Sequence, residues 1–431
     1  MSEPPELLPE APALLRVPEV RQRFARAPPE TDPGGEPLPA ARLAVPAPEY
    51  RLALLRQDAE LRALEPEWRE LYAAARWRNP FWSYDWILAC RASLAPRSTP
   101  YVLTARRGDR LVGLAPLRLE RQRGWRVVRF IGDGRSDYQG FLLHPAEPGV
   151  EQALLEELAR RRAEWDLAVL RQLAEQYSAL ASLRLPPSLR GRRTHGTVSP
   201  YLRLPGDWEE LRRQGPASVR RAARAERRFR RDGGTVERLC GEDMVRQLEV
   251  LADVERRSWK VCGGLPRFQP GPGATLARRM LSELGPRGEL EVWLAHMAGR
   301  PVAFLLNLVT PEQVWFYQGA FDQAYRRYFP GGVLHYCCVR RLWDDGLREY
   351  DLLSGDEPYK YGWANATRVL HHRALFPALP RGYLAYALLV GVRWRLRRYA
   401  RLRAAHGALG RLLRRSTHRR SQPAEASGRA R

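Results

Sequence analysis

At 431 residues the chain is long enough for two or three domains of about 150 residues each, and it can close a core without disulfides or metal. Its formal charge of +24 does not make it a nucleic-acid binder. Nine arginines against one acid in residues 212–231, and fourteen against one in residues 381–431, account for nearly all of that charge. The five cysteines show no CxxC spacing, so buried thiols in a reducing compartment are expected and a metal site is not.

Residues 1–48 hold twelve prolines and few aromatics, and read as disordered. Met1–Pro12 is acidic and proline-broken, unlike a signal peptide, and no apolar run reaches the ~20 residues of a membrane span. The expected location is therefore cytoplasmic, with peripheral contact at the inner membrane through the C-terminal tail.

Residues 50–204 read as one α/β lobe. A strand starts at Tyr50, helices cover Glu65–Ala75 and Ser83–Arg91, and two strands flank the turn Arg107-Gly108-Asp109. Strands at Val127–Ile131 and Phe141–Leu143, a helix at Glu151–Glu164 and a strand at Leu167–Leu170 complete it. Residues 205–380 read as a second lobe. Its helix Pro216–Arg231 ends at Gly233-Gly234, and a strand follows at Thr235–Leu239. Helices at Glu242–Trp259 and Ala274–Leu284 lead to strands Leu290–His296, Val302–Val309 and Val314–Ala320. A helix at Val333–Asp345 and strands at Tyr350–Leu353 and Val369–Phe376 close the lobe. Residues 381–415 read as a basic amphipathic helix, apolar from Tyr383 to Leu389, and 416–431 as disordered. The fold class is α/β, with tandem lobes and mixed, mostly antiparallel sheets.

Two segments carry the chemistry. In Arg326-Arg327-Tyr328-Phe329-Pro330-Gly331-Gly332-Val333 a strand gives way to basic residues, a glycine pair and a helix start. Free N–H groups at a helix N-terminus suit a pyrophosphate, and arginines add charge-assisted bonds. An ordinary strand-to-helix turn is the plain alternative. In Ser354-Gly355-Asp356-Glu357-Pro358-Tyr359-Lys360 two acids, a tyrosine and a lysine share one turn. Asp356 or Glu357 could take a proton from a nucleophile, Tyr359 could protonate a leaving group, and Lys360 could hold a phosphate or an oxyanion. A capped loop in which Lys360 pairs with a carboxylate is the alternative. Only Lys260 and Lys360 are lysines against 70 arginines, so both positions draw notice.

Residues 205–376 resemble the GNAT-superfamily acetyltransferases of the CelD-like kind, associated with cellulose and exopolysaccharide biosynthesis in bacteria. The resemblance rests on Arg220-Arg221-Ala-Ala-Arg224, Ser258-Trp259-Lys260, Gly299-Arg300-Pro301, Phe321-Asp322, Pro330-Gly331-Gly332 and Gly355-Asp356-Glu357-Pro358-Tyr359-Lys360. Asn79-Pro80-Phe81-Trp82 and Asp137-Tyr138 match the family's first lobe more loosely. It implies tandem GNAT-like lobes and N-acyl transfer from acetyl-CoA or another acyl-CoA to an amine of a sugar or cell-envelope precursor. Arg326, Arg327, Gly331, Gly332 and Val333 would hold the pyrophosphate, although the usual GNAT glycine turn is degenerate here. Asp356, Glu357, Tyr359 and Lys360 would be catalytic. Trp259, Lys260, Tyr317 and Asp322, with Arg220 and Arg224, would meet the substrate. The same plan resembles the Fem-type aminoacyltransferases, which implies charged tRNA as the alternative donor. A non-catalytic accessory role in polysaccharide synthesis is the third reading. The tail 383–415 suits an anionic membrane surface.

Overall fold

The computed structural model describes residues 49–262 and 266–391. The expected disorder at 1–48 and 416–431, and the expected helix beyond 391, lie outside the described residues. Within them no helix is long and apolar enough to cross a membrane.

The first lobe opens with β1 (Arg51–Leu55) and helices α1 (Asp58–Ala63), α2 (Glu65–Ala74) and α3 (Tyr84–Leu94). Ser83 caps α3 by accepting the Trp86 N–H at 3.3 Å. Strands β2 (Thr99–Pro100), β3 (Val102–Arg107), β4 (Arg110–Ala115), β5 (Leu117–Gln122), β6 (Trp125–Phe130) and β7 (Leu142–Leu143) follow. Helix α4 (Val150–Arg160) leads to β8 (Leu167–Ala174) and the long β9 (Leu189–Arg203).

The second lobe holds α5 (Trp208–Gln214), α6 (Ala217–Arg231), β10 (Thr235–Cys240), α7 (Leu248–Arg256), α8 (Trp259–Cys262) and α9 (Pro272–Arg279). Strands β11 (Leu290–Met297), β12 (Arg300–Val309) and β13 (Val314–Phe321) precede α10 (Pro330–Asp344) and β14 (Glu349–Asp351). Short α11 (Pro358–Tyr361), β15 (Ala366–Pro377) and α12 (Pro380–Tyr386) end the described chain, with a wide turn at Ala387–Gly391.

Strands β1-β3-β4-β7 form a small sheet, and the rest join one sheet in the order β10-β11-β12-β13-β14-β9-β15-β8-β6-β5-β2. All pairings are antiparallel except β6 with β8 and β13 with β14. A parallel pair needs a crossover, and α4 and α10 supply one in each lobe. The tandem, mixed α/β plan expected from the sequence is thus observed. At the centre the lobes exchange strands. β9, from the first lobe, pairs with β14 of the second, and β15, from the second, pairs with β8 of the first. β9 and β15 also pair with each other.

Helices α1 and α5 were not among the expected elements, and three further elements depart from expectation. β9 carries no apolar alternation over Arg190–His195, because that half is exposed, and its pattern hides it. The expected helix Glu242–Trp259 breaks into a 3-10 turn, α7 and α8, with the Ser258 N–H turning back to the Glu255 carbonyl at 3.0 Å. The helix from Ala274 loosens to a π turn over Met280–Leu284.

One face of the large sheet packs on α6 and α10 through Phe229, Val333, Leu334 and Phe316. On α6 the buried stripe is Val219, Ala222, Ala223 and Phe229, as its spacing predicts, and arginine occupies the outer faces. The other face joins α3, α7 and α9 across the two lobes, with Phe81, Trp86 and Trp315 in a shared core.

Candidate active site

Strands β13 and β14 pair only at Val314–Tyr350 and Trp315–Asp351, after which β14 ends and β13 runs on to Phe321. The parallel pair therefore opens into a wedge. Tyr317 lies on the face of β13 that meets the first lobe. Its ring packs against Phe81 and Trp86 of the first lobe, at centroid distances of 6.4 and 5.4 Å. The Arg267 guanidinium lies 5.5 Å over the Tyr317 ring and donates to its hydroxyl at 3.4 Å.

The chain leaves β14 in a strained turn. Leu353 has φ +58° and Gly355 has φ +149°. Lys360, 5% exposed, reaches back into this turn. Its Nζ donates to the carbonyls of Leu353 (3.3 Å) and Ser354 (2.8 Å) and pairs with Glu357 (3.2 Å). An ammonium has three donors, and here all three have partners. A compact point charge suits this convergence of two carbonyls and a carboxylate better than a planar guanidinium, which accounts for lysine in a chain that otherwise uses arginine. A Cβ on Gly355 would sit 2.0 Å from Glu357 Oε2 and 2.6 Å from Lys360 Nζ. We expect Gly355→Ala to break this pin and cost about 1–3 kcal/mol of stability. An unchanged midpoint of urea unfolding would refute that role for the glycine.

Asp356 accepts the Tyr361 hydroxyl at 2.6 Å. Tyr359 is 47% exposed as a whole, while loss of water around its hydroxyl, with the Glu357 and Asp137 charges, pushes that hydroxyl above the usual phenol range.

The first lobe contributes Asp137, in the loop after β6. Burial pushes its carboxyl up to about 6, against the pull of Lys360 and Arg267, while the Asp351 and Glu357 charges push the same way as burial. Its neighbour Tyr138 donates to Asp351 at 2.8 Å and lies 2.5 Å from Ser199 Oγ. Lys260 shares this neighbourhood. Burial lowers its ammonium to about 8, Arg267 and Lys360 add to the effect, and Glu255 and Glu357 oppose it. The charges of the chain's two lysines thus act on one another, and Arg267 and Glu357 act on both Lys260 and Asp137.

Behind the cluster lies a buried ion network. Arg368 on β15 bonds Asp351 (2.7 Å) and both oxygens of Glu349 (2.6 and 2.5 Å) on β14, and stacks 3.7 Å over the Tyr201 ring of β9. It also donates to Gln176 of the first lobe. This network fixes the end of β14 from which the strained turn departs.

At the end of β13, Asp322 caps a short turn by accepting the Ala324 N–H at 2.9 Å, and its other oxygen pairs with Arg257. Phe329, at φ +53°, lets Pro330 begin α10. Pro330 has no N–H, and the Val333 N–H turns to the Phe329 carbonyl at 3.0 Å. The Gly331 and Gly332 amides stand in the first turn, where helix N–H groups lack partners within the helix. A Cβ on Gly332 would strike the Phe329 ring at 1.9 Å, so any side chain there would displace that ring. Arg326 is exposed, Arg327 donates to the Tyr328 hydroxyl at 3.0 Å, and Arg221 of α6 lies 4.3 Å over the Phe329 ring.

The structure therefore gathers Lys260, Tyr317, Glu357, Tyr359 and Lys360 in one cluster and Arg326, Arg327, Gly331, Gly332 and Val333 at one helix mouth. Asp322 is engaged in its cap and ion pair. Arg220 donates to the carbonyls of Gly215 (2.7 Å) and Arg213 (3.3 Å), while Arg224 and Trp259 are exposed. Asp137 and Arg267 join the cluster although sequence reasoning did not select them. The Asp137-Tyr138 pair was a visible signal. Arg267 was concealed by the abundance of arginine.

Residues 217–361, about a third of the chain, match the family model described as an acetyltransferase (GNAT) domain. The chain thus carries a GNAT-type acyltransferase fold over the segment that holds the wedge, the helix mouth and the strained turn. No curated protein matches it. Among solved structures it is similar to FemX (10% identity, TM-score 0.49, covering 71% of this chain and 95% of that one). It is also similar to the C-terminal domain of a putative lysylphosphatidylglycerol synthetase from Agrobacterium fabrum (13%, 0.47, 71% and 95%). A third is a tandem GNAT protein from the clavulanic acid biosynthesis pathway (15%, 0.40, 75% and 98%).

Proposed function

We propose that this protein is an acyl-CoA-dependent N-acyltransferase that acts at the β13–β14 wedge. One observation carries the reading. The family-matched segment sets a helix mouth with free amides and an exposed arginine at the end of β13, and a cluster of titratable groups at the end of β14. A phosphate-bearing donor and a proton-transfer site would then face one another across the wedge. The Gly331 and Gly332 amides and Arg326 would hold the pyrophosphate, and the thioester would supply an activated acyl carbon.

Asp137 takes the proton from the attacking amine. A carboxylate raised to about 6 is ionised at neutral pH and more basic than an ordinary aspartate. Lys260, lowered to about 8, returns a proton to the departing sulfur, because its acidity lies near the ~8.5 of a free thiol. Lys360 and Glu357 hold the turn, and Arg267 orients Tyr317. The acceptor we assign is an amine of a sugar or cell-envelope precursor. Tyr383, Leu384 and Leu388 are 49, 52 and 46% exposed just before an arginine-rich tail, which supports peripheral contact with an anionic membrane.

Saturating acetyl-CoA, or a longer acyl-CoA, should raise stability by about 2.7 kcal/mol at 100 times Kd. The matching rise in Tm is several degrees, and Arg326→Glu with Arg327→Glu should remove most of it. Absence of a shift with every CoA ester tested would overturn the donor assignment. The arginine-covered outer face of α6 supports a second reading, Fem-type transfer from aminoacyl-tRNA. Protection by charged tRNA and not by CoA would select it. A folded protein that neither binds a donor nor acylates any amine would be an accessory scaffold.

A further inference from the structure

We propose that a groove under the C-terminal helix is the acceptor site, and that it takes an elongated amine carrying a phosphate at its far end and an apolar body between. The large sheet leaves one face of β6, β8, β15 and β9 beneath α12 and the turn that follows it. There Leu167, Val169 and Ala374 form an apolar floor, and Tyr386, Leu389 and Val390 form the roof of a cavity of about 210 Å³. A second cavity of about 270 Å³ shares Arg171 and His372 with the first and reaches Asp137. The two cavities adjoin along Arg171 and His372, so a long ligand lying over both would reach from Arg192 to the carboxylate of the proposed reaction.

Charge runs along this path unevenly. Arg129 and Arg171 are both tied to Asp133, at 3.2 and 2.6 Å, so they contribute little free charge. Arg192 is exposed at the entrance and forms no ion pair among the described residues. Thr194 lies beside it. His372 accepts the Gln172 N–H at Nδ1 (3.2 Å), which leaves a hydrogen on Nε2 to donate. This entrance is complementary to an anion. It is not complementary to the chain's own tail, since residues 381–431 carry fourteen arginines against one acid.

The inner end has a different chemistry. Gln172, at φ +59°, donates its Nε2 to Ser354 Oγ at 2.8 Å, which ties the cavity wall to the strained turn. Its Oε1 is buried and has no donor among the described residues. Unsatisfied buried acceptors are uncommon and call for a partner. The N–H of an incoming amine fits, with a second N–H directed at Asp137. Arg192 and Thr197 are five residues apart on β9, about 16 Å along an extended strand. A phosphorylated monosaccharide is too short to reach both ends, so the acceptor is longer.

The direction of chemistry rests on the acyltransferase reading. The amine nitrogen forms a C–N bond to the acyl carbon as the C–S bond breaks. One proton passes from nitrogen to Asp137, and the thiolate is protonated.

Octyl phosphate titrated calorimetrically into the full-length chain tests the groove without turnover. It should bind one-to-one, at least tenfold tighter than inorganic phosphate or neutral octyl glucoside, and Arg192→Glu should weaken it at least tenfold. Equal binding of inorganic phosphate would leave only an anion site. Binding unaffected by Arg192→Glu, or abolished by Leu388→Ser at the exposed side of the turn after α12, would likewise overturn the proposal. The acetyl-CoA thermal shift, measured on the same Arg192→Glu protein, should be unchanged. Octyl phosphate binding without any CoA shift would sink the donor assignment and leave the groove standing.

Discussion

Asp137→Asn should lower kcat/KM for any accepted amine by about 10²- to 10⁴-fold, the range of a lost general base. It should do so without loss of the acyl-CoA thermal shift. In the wild type the same group should set the acid limb, with kcat/KM falling tenfold per pH unit below about 6. The groups that act on Asp137 are Lys360, Arg267, Asp351 and Glu357. The variant also carries a stability signature. Asp137 is harder to ionise in the folded protein than in the unfolded chain, so its contribution to wild-type stability is greatest where the carboxyl is neutral and falls as pH rises toward 6. Asparagine removes that cost. The variant should match the wild type near pH 4 and exceed it at pH 8, by up to about 3 kcal/mol for a shift of about two units. A variant both inactive and more stable is the pattern of a group held for function. Full activity in Asp137→Asn would send the search for the base to Glu357 or Asp356.

Arg368→Met should be the most damaging single change away from the reacting atoms. It strands Asp351, fully buried, and Glu349 without their cation. Removing one partner of a buried ion pair costs about 3–5 kcal/mol. The pH dependence has a definite sign. Burial already raises both carboxyls above their usual range, with Arg368 pulling them down. Without Arg368 both rise further, so the penalty should be largest at pH 8 and shrink as acid neutralises them. Urea unfolding at pH 5 and pH 8 measures this. A penalty independent of pH would mean that lost packing over Tyr201, rather than charge, is what matters.

Much of the scaffold was legible because its signals are local. The α6 stripe, the Ser83 cap, the Gly108 turn and the crossover helix after Pro330 each follow from a few neighbouring residues. β9 was not legible, since its outer half is solvated and polar and its role depends on strands about 150 to 190 residues away. The candidate site divides the same way. Lys360 stood out by its rarity, and the structure supplies the reason in three fixed acceptors. Asp137 was visible in its pair with Tyr138, but its partnership with Arg267 and the second-lobe turn arises only when the two lobes meet, which no spacing within either lobe encodes. The helix break at Ser258 was hidden by an uninterrupted apolar period, although that break is what leads into Lys260.

The exchange of β9 and β15 also bears on how the chain is made. A nascent chain released only to residue 204 has β8 without its β15 neighbour and β9 without β14 or β15. Both would present open strand edges until nearly the whole second half had been synthesised. The first half cannot mature as an independent unit during translation, and its final pairing waits for a strand about 200 residues downstream. Such long-range closure slows folding. It also makes the two halves melt as one, so a truncation within β15 should unfold sequence on both sides of the molecule.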